Sequence, residues 1–287
     1  MAVGTNIRTY FEGTWHDGDA MIMRGADHAT WLGSSVFDGA RHFNSKTPDL
    51  EAHCARLNRS AEAMLLHPTV ETEEMMEIVQ EGLEPYSEDA AIYIRPIYWG
   101  IDGNETAVMP DEEQTGFAIS LEEMPMPGSA STTTLTRTRF RRPVMDDAVV
   151  NAKAGALYPN NARMMAEARR KGFGNALVAD ATGNVAETAT ANVFMVKDGE
   201  VFTPIPNGTF LAGITRMRHI HNMRADGMKV HETVLSFDDF EDADEVFLSG
   251  NLSKVTPVVA FDDVSYQAGP VTKRVRELYW DWAASVQ

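Results

Sequence analysis

Residues 124–131 read Met-Pro-Met-Pro-Gly-Ser-Ala-Ser, with two prolines, a glycine and two serines set between patterned segments. No helix or central strand runs through such a stretch, because proline removes a backbone donor and fixes φ while glycine and serine favour turns. It divides the 287 residues into a small N-terminal domain over 1–124, a linker over 125–131 and a large domain over 132–287. With 44% hydrophobic residues and no low-complexity tract, the chain can bury a sizeable core in each.

The first domain reads as mixed strand and helix. Tyr10-Phe-Glu-Gly-Thr-Trp15 suggests a hairpin, and 50–66 forms an amphipathic helix that carries Arg56 and Leu57. A second helix starts at Thr72, with Glu73, Glu74 and Glu77 near its positive end and Met76, Val79 and Leu83 as its apolar stripe. Residues 91–98 read as a buried strand in which Pro96 suggests an edge or a bulge, and a strand over 117–121 follows.

Beyond the linker, a helix over 159–171 is stopped by Gly172, and 176–180 is a strand. Strands 192–196 and 201–203 flank Lys197-Asp-Gly-Glu200, a hairpin signal because Asp-Gly suits the positive backbone angles of a tight turn. A helix over 215–225, strands over 230–234, 245–249 and 257–261, and a last helix over 270–284 complete the domain. No internal repeat is visible.

Charge and composition exclude several function classes. A formal net charge of -17 opposes binding to nucleic acid, and any anionic cofactor must be held by local positive groups and backbone amides. Residues 1–11 lack the basic flank and apolar run of a secretory signal, and no apolar run is long enough to span a bilayer, so a soluble cytoplasmic protein is expected. One cysteine, Cys54, excludes an internal disulfide. His219 and His221 stand two apart on a helix and point to different faces, so no metal site is expected. Serine-nucleophile, phosphate-loop and dinucleotide-binding glycine motifs are all missing.

Three segments carry candidate chemistry. Lys153 lies among small apolar residues in Val150-Asn-Ala-Lys-Ala-Gly-Ala-Leu-Tyr158, where partial desolvation would leave its amine nucleophilic toward a carbonyl. The same residues also describe a lysine that reaches the surface. Leu211-Ala-Gly-Ile-Thr-Arg216 leads into a helix whose first amides could hold a phosphate, or whose threonine could simply cap it. Glu187 precedes a run of small and hydroxylated residues, and a carboxylate there could keep a pyridinium nitrogen protonated. A lysine, an acid and an anion cradle are together the three parts that a pyridoxal phosphate site needs.

With these parts in place, the chain resembles the fold-type-IV pyridoxal-phosphate enzymes, above all the branched-chain amino acid aminotransferase family. The second domain carries the match through Asn151-Ala-Lys153 with Tyr158, Ala186-Glu187 with Asn192-Val-Phe194, and Thr203-Pro204. It continues through Ala212-Gly-Ile-Thr-Arg216, Ala243-Asp-Glu-Val-Phe247, Ser249-Gly250, Thr256-Pro-Val258 and Gly269-Pro-Val-Thr-Lys273. In the first domain the match is Gly33-Ser-Ser-Val-Phe37-Asp-Gly39, His53 with Arg56-Leu57 and Ser60-Ala61, and Tyr93-Ile-Arg95-Pro96.

The resemblance implies a mixed α/β fold in two domains, the larger built around a β-barrel-like sheet with flanking helices. It implies a transaminase in which Lys153 is the Schiff-base lysine of pyridoxal 5'-phosphate, Tyr158 bonds the ring hydroxyl and Glu187 pairs with the ring nitrogen. The phosphate would be held by Arg56, Gly213, Ile214, Thr215 and Asn251, and the substrate by Phe37, Gly39, Tyr93 and Arg95, although Tyr93 and Arg95 also suit packing and a structural ion pair. The reaction implied moves an amino group from a branched-chain or related L-amino acid to 2-oxoglutarate, in at least a homodimer. Leu32 replaces a usual tyrosine, Asn251 replaces a threonine after Ser-Gly, and Trp99 with an acidic loop over 101–114 is unusual. These departures keep a transaminase of (R)-amines or D-amino acids open, and beside it an aminodeoxychorismate-lyase-like enzyme.

Overall fold

A computed structural model describes residues 4–286. Two compact units are present: the described residues up to Met126 together with Asn151–Ala156, and Pro127–Val150 with Leu157–Ser285. The sequence pattern assigns Lys153 to the second domain with its chain neighbours, whereas the short stretch that carries it is part of the first unit. Main-chain pairing with a strand of that unit is the reason, and such pairing leaves no trace in residue periodicity.

The first unit contains β1 (Thr5–Phe11), β2 (Thr14–Asp17), α1 (His28–Leu32), β3 (Ser35–Phe37), β4 (Ala40–His42), α2 (Leu50–Ala63), α3 (Thr72–Leu83), β5 (Ile92–Gly100) and β6 (Thr115–Glu123). Its antiparallel sheet runs β2-β1-β6-β5-β3, with β4 also on β5. The expected hairpin pairs Tyr10 with Trp15 around Glu12 and Gly13, both at positive φ. Helix α2 buries Leu50, Cys54, Leu57 and Ala61, one stripe at helical spacing.

Two local expectations need correction. The stripe of α3 is Met75, Ile78, Val79, Gly82 and Leu83, and Met76 is only half-buried. The face turns this way because Gly82 receives the Trp15 ring: a Cβ there would stand 2.2 Å from the indole. Pro96 lies inside the sheet rather than at its edge, since β5 pairs with β6 on one side and with β3 and β4 on the other. Asp38 donates its N–H to the Pro96 carbonyl, so the proline nitrogen faces the Asp38–Gly39 break between β3 and β4, where no donor is required.

The second unit contains β7 (Thr133–Arg141), α4 (Tyr158–Arg170), β8 (Asn175–Ala179), β9 (Val185–Thr188), β10 (Asn192–Lys197), β11 (Glu200–Pro204), α5 (Ile214–Ala225), β12 (Val230–Thr233), α6 (Phe237–Glu241), β13 (Glu245–Gly250), β14 (Lys254–Phe261), β15 (Val264–Ser265) and α7 (Pro270–Ser285). The sheet order is β12-β11-β10-β13-β14-β7-β8-β9, with β15 on β14. Val185 of β9 donates to the Leu235 carbonyl just beyond β12, so the two ends of the sheet meet and it curls like a barrel. Alternate residues serve its two faces. Val193 and Met195 join Leu135, Leu177, Val246 and Leu248 on one side, while Phe194 and Val196 join Phe247, Ile220 and Val275 on the other. Strand β7 escapes sequence patterning because Thr-Thr-Leu-Thr-Arg-Thr-Arg reads as polar, yet it is threaded parallel between β14 and β8. No helix of the described residues is long and apolar enough to cross a membrane.

Because the indole fills the space over Gly82, Gly82→Ala should destabilise the protein by about 1–3 kcal/mol despite alanine's better helix propensity. Denaturant unfolding of the variant beside the wild type measures this.

Candidate active site

In the first unit, Lys153 is held by its main chain. Val36 and Ala154 form an antiparallel bridge, Phe37 N–H donates to the Lys153 carbonyl over 3.1 Å, and Lys153 N–H donates to Ser60 Oγ of α2 over 3.1 Å. The small residues beside it are needed for this fit: a Cβ on Gly155 would come within 2.7 Å of Ser35 Oγ. Backbone direction, and with it the exit of the side chain, is therefore set by β3 and α2. The ammonium lies 4.9 Å from the centre of the Phe37 ring.

Directly after Phe37 comes Asp38, fully buried and grasped by two side chains through three contacts. Arg56 donates through Nε to Oδ2 (2.7 Å) and through Nη2 to Oδ1 (2.8 Å), and His53 Nδ1 lies 2.6 Å from Oδ1. Burial by itself would raise the Asp38 carboxyl, but the Arg56 guanidinium and His53 outweigh it and hold the group far below the usual carboxylate range. Arg56 therefore forms a largely buried, two-pronged ion pair with Asp38.

Gly39 allows the Tyr93 side chain to lie against the backbone, since a Cβ at 39 would stand 2.3 Å from Tyr93 Oη. Arg95 lies 5.0 Å and Arg41 6.0 Å from the centre of the Tyr93 ring. The charge of Arg95 is met by buried Glu122, to which its Nη1 donates. Arg41 is wholly buried and donates to the Met124 carbonyl at 2.5 Å. Its Nε and Nη1 have no hydrogen-bond partner among the described residues. Burial lowers its pKa to about 10, against a smaller opposing effect of Tyr93.

The second unit carries Glu187 on β9. Arg142 Nη2 approaches Glu187 Oε1 at 3.1 Å, and Asn192 Nδ2 donates to Oε2 at 3.3 Å. Arg142 also donates to Asn161 Oδ1 and the Thr188 carbonyl, both at 2.7 Å. Asn161 belongs to the first turn of α4, the turn that begins with Tyr158, so Arg142 ties that turn to the Glu187 carboxylate. Tyr158 itself is 38% exposed. At the start of α5, Gly213 is the extended N-cap and no side chain caps the helix. Gly213 donates its N–H to Asn192 Oδ1 at 3.0 Å, and Ile214 and Thr215 are buried in the first turn. Asn192 faces Ser249 across the β10–β13 ladder, and Asn251 follows two residues later. The amide of Asn192 thus joins the Glu187 carboxylate to the amino end of α5.

The sequence profile of the family described as amino-transferase class IV matches residues 35–261. The chain belongs to the class IV aminotransferases. Among its relatives, the branched-chain-amino-acid aminotransferase of Escherichia coli strain K12 is 31% identical over 282 residues, 93% of this chain and 88% of that protein. An aminotransferase from Brucella abortus, crystallised with the cofactor PLP, superposes with a TM-score of 0.96 at 53% identity and covers 97% of this chain and 99% of its own. The branched-chain aminotransferase of the archaeon Thermoproteus uzoniensis, crystallised with norvaline, reaches a TM-score of 0.87 at 25% identity and covers 95% of this chain and 93% of its own.

In this aminotransferase the structure adds residues for which sequence reasoning found no role. Asp38 stands inside the matched Phe37-Asp-Gly39, but only coordinates show that it holds Arg56 and His53. Arg142 left a faint signal, as the second of two arginines before a proline. Arg41 and Glu122 left none, because an alternating strand pattern reports the facing of side chains and not their charge partners.

Since the folded Asp38 titrates below its ordinary value, its contribution to stability is complete above the usual carboxylate range and is lost as pH falls through that range toward the folded value. Asp38→Asn should cost about 3–5 kcal/mol, because it removes the charge of the buried carboxylate that Arg56 and His53 grasp. It should also flatten the acid limb of a stability-against-pH curve.

Proposed function

We propose that this class IV aminotransferase moves an amino group from a branched-chain or related L-amino acid to 2-oxoglutarate, with pyridoxal 5'-phosphate as cofactor and Lys153 as its Schiff-base lysine. The observation that carries the cofactor is a pair of buried donors, Ser249 Oγ and Asn251 Nδ2, which lack hydrogen-bond partners among the described residues; Ser249 is the ladder partner of Asn192, which accepts from the N–H of Gly213 at the uncapped start of α5. A phosphate fits such a set, and in a chain of net charge -17 only a local cradle can hold it.

When bound, pyridoxal phosphate supplies the electron sink that makes the proton on the substrate α-carbon labile. Lys153 Nζ is the base that takes this proton and returns one. Glu187, paired with Arg142, would face the ring nitrogen, and Tyr158 would donate to the ring hydroxyl. Arg56, already oriented by Asp38, would hold the phosphate with Gly213, Ile214, Thr215 and Asn251. Phe37 and Gly39 shape the side-chain pocket, and Tyr93 orients the substrate carboxylate with the positive field of Arg41 behind its ring.

A second reading, a transaminase of (R)-amines or D-amino acids, is favoured by one observation: Glu122 already meets the charge of Arg95, which reduces what Arg95 offers a substrate carboxylate. A cytoplasmic homodimer completes the proposal. Exposed Trp31 and Leu32 on α1, with exposed Val108 and Met109 on a loop beside it, support self-association. His28 Nε2 of α1 is 3.2 Å from the Val108 carbonyl, which holds the two together as one patch.

Mixing the yellow cofactor-loaded enzyme separately with L-leucine, L-glutamate, D-alanine and (R)-1-phenylethylamine tests the substrate. Bleaching by L-leucine and L-glutamate alone is expected. Bleaching by only D-alanine or the amine would overturn the branched-chain reading and leave Lys153 in place.

A further inference from the structure

Lys254 opens β14 with its side chain almost fully buried, at 2% exposure, and with a left-handed φ of 62°. Both are unfavourable places for lysine, which loses hydration in the interior and backbone freedom at positive φ. Its ammonium lies 5.5 Å from the centre of the Tyr279 ring of α7 and donates to Asn251 Oδ1 at 2.6 Å. An ammonium only donates, so this contact decides which way the Asn251 amide is turned. The oxygen faces Lys254, and Nδ2 is turned away from it.

That NH2 group is buried and has no hydrogen-bond partner among the described residues, and the same holds for Ser249 Oγ two residues earlier. Both stand at one corner of the second unit. Ser249 is the ladder partner of Asn192, whose Oδ1 accepts from the N–H of Gly213 at the start of α5. His219 in the second turn of α5 donates through Nε2 to the Lys254 carbonyl at 3.1 Å, which fastens the helix to the same turn. An unsatisfied amide, an unsatisfied hydroxyl and an uncapped helix start are three donor sets beside one another, and no acceptor among the described residues answers the two side chains.

We propose that Lys254 is a positioning residue for the phosphate of the cofactor: it fixes the Asn251 amide so that Nδ2 is offered to the anion. This rests on the cofactor reading above and deepens it. In the family pattern a threonine stands at this position and its hydroxyl rotates to suit the anion, so it needs no such orienting group. An asparagine offers the anion either a donor or an acceptor, and only one orientation binds. The buried lysine selects the donor, so Asn251 and Lys254 form one unit that replaces the threonine.

The test is cofactor affinity of the apoenzyme, measured by fluorescence titration with pyridoxal phosphate, together with the phosphorus resonance of the bound phosphate. Lys254→Met should weaken binding about tenfold, the scale of one hydrogen bond to a charged group, and should shift the resonance. Lys254→Arg, which can still donate to Oδ1, should recover most of the affinity. In an Asn251→Thr background the same Lys254→Met change should leave the affinity nearly unchanged. Circular dichroism and the apoenzyme melting temperature report any loss of fold by Lys254→Met, in which case the Lys254→Ala and Lys254→Arg pair decides, alanine, which cannot donate to Oδ1, being expected to weaken binding and arginine to preserve it. Unaltered affinity in well-folded Lys254→Met, or an equal loss with Asn251 in place and in the Asn251→Thr background, would overturn the positioning role. A wild-type protein that takes up no pyridoxal phosphate would overturn the cofactor reading itself, and this inference with it.

Discussion

A lysine that does covalent chemistry must be aimed, and a long flexible side chain is poorly suited to that unless its backbone is immobile. For Lys153, proposed for that role, the aim comes from main-chain pairing. The stretch Asn151–Ala156 is bridged to β3 at Ala154, with Phe37 N–H on the Lys153 carbonyl and Ser60 Oγ receiving the Lys153 amide. Phe37, Asp38 and Gly39, which follow in the same strand and turn, are the residues against which Lys153, Arg56 and Tyr93 are set. A single break in the strand pattern, accepted by Pro96 in β5, thus positions three candidate side chains.

The second constraint is charge. A chain with net charge -17 does not attract an anion from a distance, so every positive group near the site must be fixed where it is wanted. Asp38 fixes Arg56, Glu122 fixes Arg95, and Arg142 is fixed by Glu187, Asn161 and the Thr188 carbonyl. Each is a buried or half-buried pair whose value lies in orientation, since such pairs return little net stability once desolvation is counted. The acid proposed for the ring nitrogen and the turn that begins with Tyr158 share one arginine, which couples their placement.

Much of this was legible in the residues. Helices with a continuous apolar stripe, such as α2, and hairpins with a forcing turn, such as Asp198-Gly199, follow from periodicity and backbone preference. The matched motifs point to Lys153, Glu187 and the start of α5. What was not legible has a common physical cause: it depends on partners distant in the chain. Strand β7 looks polar because the sheet, and not its own pattern, buries Leu135, Thr136 and Thr138. The stripe of α3 turns by one residue because Trp15, in a hairpin far earlier in the chain, needs a place for its ring over Gly82. Arg41 and Arg142 are ordinary strand or loop arginines until the coordinates show what they face.

The most direct measurement is chemical. Borohydride reduction of the cofactor-loaded enzyme, followed by proteolysis and mass spectrometry, locates the lysine that carries the pyridoxyl group. The account predicts one modified peptide, containing Lys153 and its Asn151-Ala152 and Ala154-Gly155 neighbours. Modification at Lys254 or any other lysine, or no modification of a protein that remains folded and active, would contradict it.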